Sequence, residues 1–392
     1  MTISIIMPVY NNAKYLKEAI ESILNLSYKD FELIIIDDCS TDYSRQIIEF
    51  YIKSDGRIKY LKNKKNLGSA RTIKEGVGIA KGKYIFLAAG DDISLTNRIE
   101  SHLSIYKKNT NVGIIVSNAI VIDSNSNETG ELYIIDDEVT NENISINQLK
   151  RNYCLGATMS IFNDKKILSK DSMLDHTDDF EISLEYLLND YEIYLLKEPT
   201  IKYRIHNKNQ SNKRYELNKK IINVYNKYKD DEIISFLKRK KCGKKEAFLV
   251  LGIIKIFVED YKKAKYYLLK ADEIFNFNRE TNFEVKFYLG VVNFINSDFI
   301  KSSYCFKECL KLHKNKPEVL NNFSIVNFLI DNNIEKFRTS LKEALKIKKD
   351  YIDANYNLEC LNEGIRKFKI TKRILEKNNI IRKDSMRGDY EY

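Results

Sequence analysis

The chain has 392 residues, 43% of them hydrophobic and 31% charged, enough for two ordinary domains with separate cores. No run of about 18 or more apolar residues occurs, which excludes a membrane-spanning helix, and no basic, apolar and cleavage-site leader precedes the first strand-like segment, so a cytoplasmic setting is expected. The net charge of +10 is uneven, with 26 Lys/Arg against 30 Asp/Glu in residues 1–211 and 39 against 25 in residues 212–392.

In chain order, Ile3–Pro8 reads as a short buried strand and Ala13–Leu26 as a helix with Leu16, Ala19, Ile20, Ile23 and Leu24 at helical spacing. Phe31–Ile36 is a second buried strand. Ser44–Lys53 is a helix that Ser40 or Asp42 can cap. Ile58–Leu61, the helix Ala70–Ala80 and the strand Tyr84–Ala88 follow. Strands and helices that alternate, with continuously apolar strands, predict a parallel sheet covered on both faces. Ligands of such sheets bind beyond the carboxyl ends of the strands.

Those ends carry Pro8-Val9-Tyr10-Asn11, Asp37-Asp38-Cys39-Ser40-Thr41-Asp42 and Ala88-Ala89-Gly90-Asp91-Asp92. Carboxylates gathered on one rim repel one another unless a cation or donor neutralises them, and hard oxygen ligands suit Mg²⁺ or Mn²⁺ completed by a diphosphate. Paired aspartates can also simply cap the helices that follow. Two such pairs beside a Tyr-Asn turn favour the ligand reading.

The segments Ser4–Asn11, Glu32–Asp42, Asn66-Leu67-Gly68-Ser69-Ala70-Arg71 and Gly82-Lys83-Tyr84-Ile85 before Asp91-Asp92 resemble, as an ordered set, the opening of family 2 glycosyltransferases. The resemblance spans about residues 2–210. It implies a GT-A fold, which is a Rossmann-like, mostly parallel α/β sheet. It also implies a nucleotide-sugar donor, usually a UDP-sugar, held by Pro8, Tyr10, Asp37, Asp38, Arg71 and Gly90. The family's Asp-x-Asp metal triplet falls on Ala89-Gly90-Asp91, so Asp91 is the implied ligand of Mn²⁺ or Mg²⁺ and Ala89 departs from the pattern. Asp92, Gly156 and Ala157 would shape the donor and acceptor pocket. Asp179, seconded by Asp178, matches the general base of an inverting transfer, which takes the acceptor's proton. Arg204 and His206, in the stretch Tyr203–His206 with Ser211, match a closing loop that donates to the diphosphate.

After residue 212 the composition changes. Leu251-Gly252, Leu289-Gly290 and Ser324-Ile325 recur after 38 and then 35 residues, each followed at fixed offsets by Ala264, Leu268 and Ala271, by Ser302, Phe306 and Cys309, and by Phe337, Leu341 and Ala344. This resembles a degenerate tetratricopeptide pattern. The expected organisation is a catalytic domain over 1–211, a basic helical linker over 212–245 and an all-α tetratricopeptide-like array over 246–392. The linker holds twelve Lys/Arg against four acids, which points either to an anionic membrane surface met from the cytoplasmic side or to a solvated helix. The array could dock a protein partner or a second copy.

No aromatic-basic stacking motif is present, so nucleic acid is not expected as a partner. Six cysteines without a CxxC pair are expected to be reduced. The implied acceptor is a glycan, a lipid-linked glycan or a protein. Ala89 leaves open an alternative, a catalytically weakened protein acting as a scaffold.

Overall fold

A computed structural model describes residues 3–135, 139–169, 174–207 and 214–374, without the side chains of 214–218. The chain divides into two compact units, the first running to Lys227 and the second starting at Tyr228.

In the first unit, β1 (Ile3–Val9), β2 (Phe31–Asp37), β3 (Ile58–Lys62) and β4 (Tyr84–Leu87) pair in parallel in the order β3-β2-β1-β4. Every residue of β2 and β4 is buried, as continuous apolar strands with both faces covered require. The connections are α1 (Ala13–Leu24), α2 (Ser44–Ser54) and α3 (Ser69–Ile79). On α1 the residues that reach the core are Leu16, Ala19, Ile20 and Ile23, the apolar stripe seen in the sequence. Asp42 serves two helix starts, accepting from Ser44 N at 2.9 Å and from Ala13 N at 2.9 Å.

Beyond β4 the sheet becomes mixed. The elements in order are β5 (Ile93–Ser94), α4 (Arg98–Lys108), β6 (Val112–Ile122), β7 (Glu128–Tyr133), α5 (Ile144–Lys150), β8 (Ser160–Phe162), α6 (Lys165–Leu168), α7 (Asp179–Leu188) and β9 (Glu192–Arg204). The nine described strands run β3-β2-β1-β4-β8-β6-β9-β5, with β7 paired to β6. β8 enters antiparallel between β4 and β6, while β6 and β9 run parallel. The parallel sheet expected from the strand-helix alternation is therefore its first four strands. The helix α8 (Arg214–Tyr225) closes this unit, its Tyr225 hydroxyl donating to Leu149 O at 2.9 Å.

The second unit is helical: α9 (Asp230–Arg239), α10 (Lys244–Phe257), α11 (Tyr261–Glu273), α12 (Arg279–Ile295), α13 (Phe299–Leu312), α14 (Pro317–Asp331), α15 (Ile334–Ile347) and α16 (Ile352–Asn362). From α10 on, each helix packs on the next. A Cβ added at Gly252 would lie 2.6 Å from Leu268, and one at Gly290 would lie 2.7 Å from Phe306, so the recurring small residues are what let α10 meet α11 and α12 meet α13. The turns recur as well. Glu259, Ser297 and Asn332 take left-handed φ of 59°, 59° and 53°. The next residue in each case, Asp260, Asp298 or Asn333, caps α11, α13 or α15 by accepting from the amide three residues on.

Within the basic segment, Lys238, Arg239, Lys241 and Lys244 are exposed. Lys245 is buried, with Nζ donating to Ile274 O at 2.9 Å. It is a helix-to-helix tie and not a surface charge. Lys213 and Ser211 lie outside the described residues.

Candidate active site

The ends of β2, β1 and β4 are neighbours, which brings the three acidic or turn-forming strand ends together. The β1 and β2 turns are stitched to each other. Asn11, at φ 54°, donates its amide to Ser40 Oγ at 3.0 Å and accepts from Thr41 N at 2.8 Å, while Asn12 N donates to Ser44 Oγ at 3.0 Å. Pro8 is half-buried and Tyr10 is exposed at the edge of this turn.

Asp37 and Asp38 are both buried. Asp37 accepts from Ser40 N at 2.8 Å and from the Tyr60 hydroxyl at 3.3 Å. Asp38 accepts from Asn63 Nδ2 and Leu67 N, both at 2.8 Å, and from Gly68 N at 2.9 Å. Its carboxylate thus shapes the loop that follows β3. Gly68 turns that loop into α3 at φ 82°, a left-handed conformation that glycine adopts without strain. The next side chain, Ser69, donates to Asp178 Oδ2 at 2.6 Å, so the Asp38 loop is tied directly to the Asp178-Asp179 pair.

After β4 comes the third strand end. A Cβ at Gly90 would sit 3.2 Å from Asn12, so a glycine lets this loop approach the β1 turn closely. Asp91 Oδ2 lies 2.9 Å from His206 Nε2, and the His206 ring stacks on Tyr15 at 5.0 Å. Asp92 accepts from Arg204 N at 2.8 Å, and its other oxygen is buried with no hydrogen-bond partner among the described residues. Burial, and then the neighbouring Asp91, push the Asp92 carboxyl well above the usual carboxylate range.

Arg204 is 1% exposed. Its guanidinium donates to Glu18 Oε2 at 2.6 Å, Asp91 O at 2.7 Å and Ser126 Oγ at 2.8 Å, and lies over the Tyr15 ring at 4.7 Å. Sequence reasoning placed Arg204 on the ligand. Here it braces the acidic loop from inside, and the side chains that make this possible, Tyr15 and Glu18 on α1, belong to no recognisable motif.

The pair Asp178-Asp179 opens α7. Asp178 caps it by accepting from Asp179 N at 2.9 Å, and Asp179 Oδ1 accepts from Phe180 N at 2.6 Å. Desolvation, and then the adjacent Asp178, raise the Asp179 carboxyl to about 7. Gly156 lies against Asp179, with a built Cβ 3.6 Å from the aspartate's own Cβ. The carbonyl of Ala157 accepts from Arg98 at 2.8 Å, and the same buried arginine also holds Leu87 O at 2.6 Å, joining the Gly156–Thr158 turn to the end of β4. Arg98 is a positioning residue that the sequence did not reveal. Arg71, on α3, is exposed and 3.8 Å from Asp175.

Among the described residues no cluster of three or more metal-binding side chains occurs. The pair Asp91 and His206 offers one carboxylate and one imidazole on the same rim. That set fits a largely hydrated Mn²⁺ or Mg²⁺ whose remaining ligands come from a diphosphate.

The family described as Glycosyl transferase family 2 matches residues 4–172. A glycosyltransferase of Methanocaldococcus jannaschii, named as uncharacterized, is 34% identical over 214 residues, which cover 53% of this chain and 71% of that one. The chain belongs to glycosyltransferase family 2. A further relative of this family 2 glycosyltransferase is the Escherichia coli UDP-Glc:alpha-D-GlcNAc-diphosphoundecaprenol beta-1,3-glucosyltransferase WfgD, 29% identical over 269 residues that cover 67% of this chain and 98% of that one. Among solved structures, Staphylococcus aureus TarS 1-349 in complex with UDP-GlcNAc superposes with a TM-score of 0.51 at 15% identity and 93% coverage of each chain, a likeness that gives the GT-A-like fold. The relatives are named as enzymes and lend the scaffold reading no support.

Proposed function

We propose that this glycosyltransferase moves a sugar, with inversion, from a UDP-sugar to a glycan acceptor, a lipid-linked glycan before a protein. The observation that carries the mechanism is Asp179, a carboxyl raised to about 7 at the start of α7 and tied through Asp178 and Ser69 to the Asp38 loop. A base near neutrality is suited to taking a hydroxyl proton at working pH. In the step proposed, the acceptor oxygen bonds to the anomeric carbon, the bond from that carbon to the diphosphate breaks, and the acceptor's proton passes to Asp179. Asp91, with His206 beside it, would hold Mn²⁺ or Mg²⁺, which when bound offsets charge on the departing diphosphate. Pro8, Tyr10, Asp37, Asp38, Arg71 and Gly90 form the nucleotide side. Asp92, Gly156, Ala157 and Arg204 support the pocket, Arg204 from beneath.

The UDP donor is supported by a fold neighbour that holds UDP-GlcNAc and by the name of the Escherichia coli relative, which also supports the lipid-linked acceptor. Nucleotide release from UDP-, GDP- and dTDP-sugars with Mn²⁺ tests the donor. Release from UDP-sugars is expected. Release confined to GDP- or dTDP-sugars replaces the donor, and no release from any of them overturns the reading.

Asp38→Ala is expected to weaken UDP binding more than it slows the chemistry of bound donor. The carboxylate orders the Asn63–Gly68 loop, which acts alike on ground and transition states. Calorimetry with UDP checks this, and an unaltered dissociation constant counts against it.

In the organisation proposed, residues 1–211 catalyse, 212–245 form a basic linker and 246–392 form a tetratricopeptide-like array, supported by the recurring cap-and-turn pattern. The exposed Lys238, Arg239, Lys241 and Lys244 would meet an anionic cytoplasmic membrane face, each contributing about 1 kcal/mol. Salt-sensitive co-sedimentation with anionic vesicles, lost when these four become Glu, is expected. Absence of binding at low salt removes the membrane from the proposal.

A further inference from the structure

Past α16 the chain turns sharply at Gly364, φ 72°, with Ile365 N donating back to Cys360 O at 2.8 Å. Residues 366–374 then run, without helix or strand, across the helical array. Their main chain is gripped by asparagine carboxamides. Asn357 accepts from Lys369 N at 2.7 Å and donates to Lys369 O at 2.9 Å. Two residues on, Asn322 accepts from Thr371 N at 2.7 Å and donates to Thr371 O at 2.8 Å. Asn321 adds a bond to Lys369 O at 3.2 Å and accepts from Asn357 at 2.8 Å. All three asparagines are fully buried. Asn322 and Asn357 each stand in the second turn of their helices, α14 and α16. A carboxamide that takes both polar groups of alternate residues reads a peptide as a neighbouring strand would, and it does so whatever the side chains.

Shallow selectivity is added around this grip. Phe368 packs on Phe328 and Phe337, with ring centres 5.5 and 4.8 Å away. The Thr371 hydroxyl donates to Asp353 Oδ2 at 2.6 Å and meets the Tyr351 hydroxyl. The basic residues of the segment lie over rings of the array, Lys369 over Tyr356 at 4.4 Å and Arg373 over Phe257 at 4.7 Å. A strap needed only for stability could be held by apolar side chains. Three buried carboxamides are costly unless a peptide backbone satisfies them.

We propose that the face of α14 and α16 bearing Asn321, Asn322 and Asn357 is a receptor groove for an extended, basic peptide segment of a partner protein, with an aromatic residue three positions before a threonine or serine, and that residues 366–374 are its internal ligand. The tail keeps the groove filled until a partner segment of the same pattern displaces it. The proposal does not rest on glycosyl transfer and is read by binding alone.

The test uses the full-length chain and a fluorescent synthetic peptide of residues 366–374. Because a tethered ligand competes at about millimolar effective concentration, the peptide is expected to bind the full-length F368A/T371P variant, whose tail no longer seats, about tenfold or more tighter than the unaltered chain. Adding Asn322→Ala and Asn357→Ala to that variant is expected to abolish binding. Equal, weak affinity for the unaltered chain and the folded double variant overturns the groove. Should the double variant fail to fold, hydrogen exchange on the unaltered chain decides: saturating peptide is expected to speed exchange at Lys369 and Thr371, and no change overturns the proposal. A dimer formed by the double-variant protein mixed with unaltered chain, and dissolved by free peptide, would make the occupant a second copy and overturn its assignment to a separate partner.

Discussion

Asp91→Ala is expected to lower sugar transfer by about a hundredfold or more, the cost of removing one group that stabilises developing charge at the leaving group. The sequence offers only one aspartate of the expected triplet, since Ala89 stands in the first place. The structure pairs the surviving Asp91 with His206 at 2.9 Å, so in the proposed site an imidazole from beyond β9 would stand in for the aspartate that Ala89 replaces. If the ion is held this way, excess chelator stops turnover by the unaltered enzyme and Mn²⁺ restores it. His206→Ala then raises the Mn²⁺ concentration needed for half-maximal rate. The measurement is initial rate against metal concentration for the three proteins, with melting temperature as a control for folding. Full turnover in excess chelator rejects the metal.

The first four strands were legible because each is an apolar run bounded by turn residues, with a helix of clear periodicity between them. What followed was not. β5 has two residues and β8 three, too short for any periodicity to register. β9 carries Pro199 in its interior, a residue that argues against a central strand, and the ladder accommodates it at a shift of register opposite Asn118. The mixed half of the sheet is therefore set by long-range pairing and not by local pattern.

The site shows the same division. Asp37, Asp38, Asp91 and Asp179 stand at element ends, where motif and topology coincide. Of the groups around them, Tyr15 and Glu18 lie within α1, while Ser69 and Arg98 open α3 and α4, and only three-dimensional contact reveals what each one holds. Lys245 illustrates the converse. Its place in a basic run suggests a surface charge, but a lysine stem can lie in the interior while its ammonium finds a carbonyl, here Ile274 O.

Asp179→Asn is expected to reduce turnover by about a hundredfold or more with donor binding nearly unchanged, as for a lost general base. The pH dependence sharpens this. The folded-state carboxyl sits at about 7, raised first by burial and then by Asp178. The base works only when ionised, so the rate of the unaltered enzyme should climb through the region just below 7 and level off above it. That rise should vanish in Asp179→Asn.

Stability should move the opposite way. A carboxyl whose folded value lies above its unfolded value binds its proton more tightly when folded, so stability falls as pH rises from the ordinary aspartate range to about 7. The neutral amide escapes that penalty. Asp179→Asn should therefore melt higher than the unaltered chain at pH 8 and show little difference at pH 4. A variant that is slower yet more stable above neutrality is what an ionised base in a desolvated place predicts, and a merely structural helix start does not. An unchanged rate would move the role to Asp178, whose carboxylate accepts from the Ser69 hydroxyl at 2.6 Å.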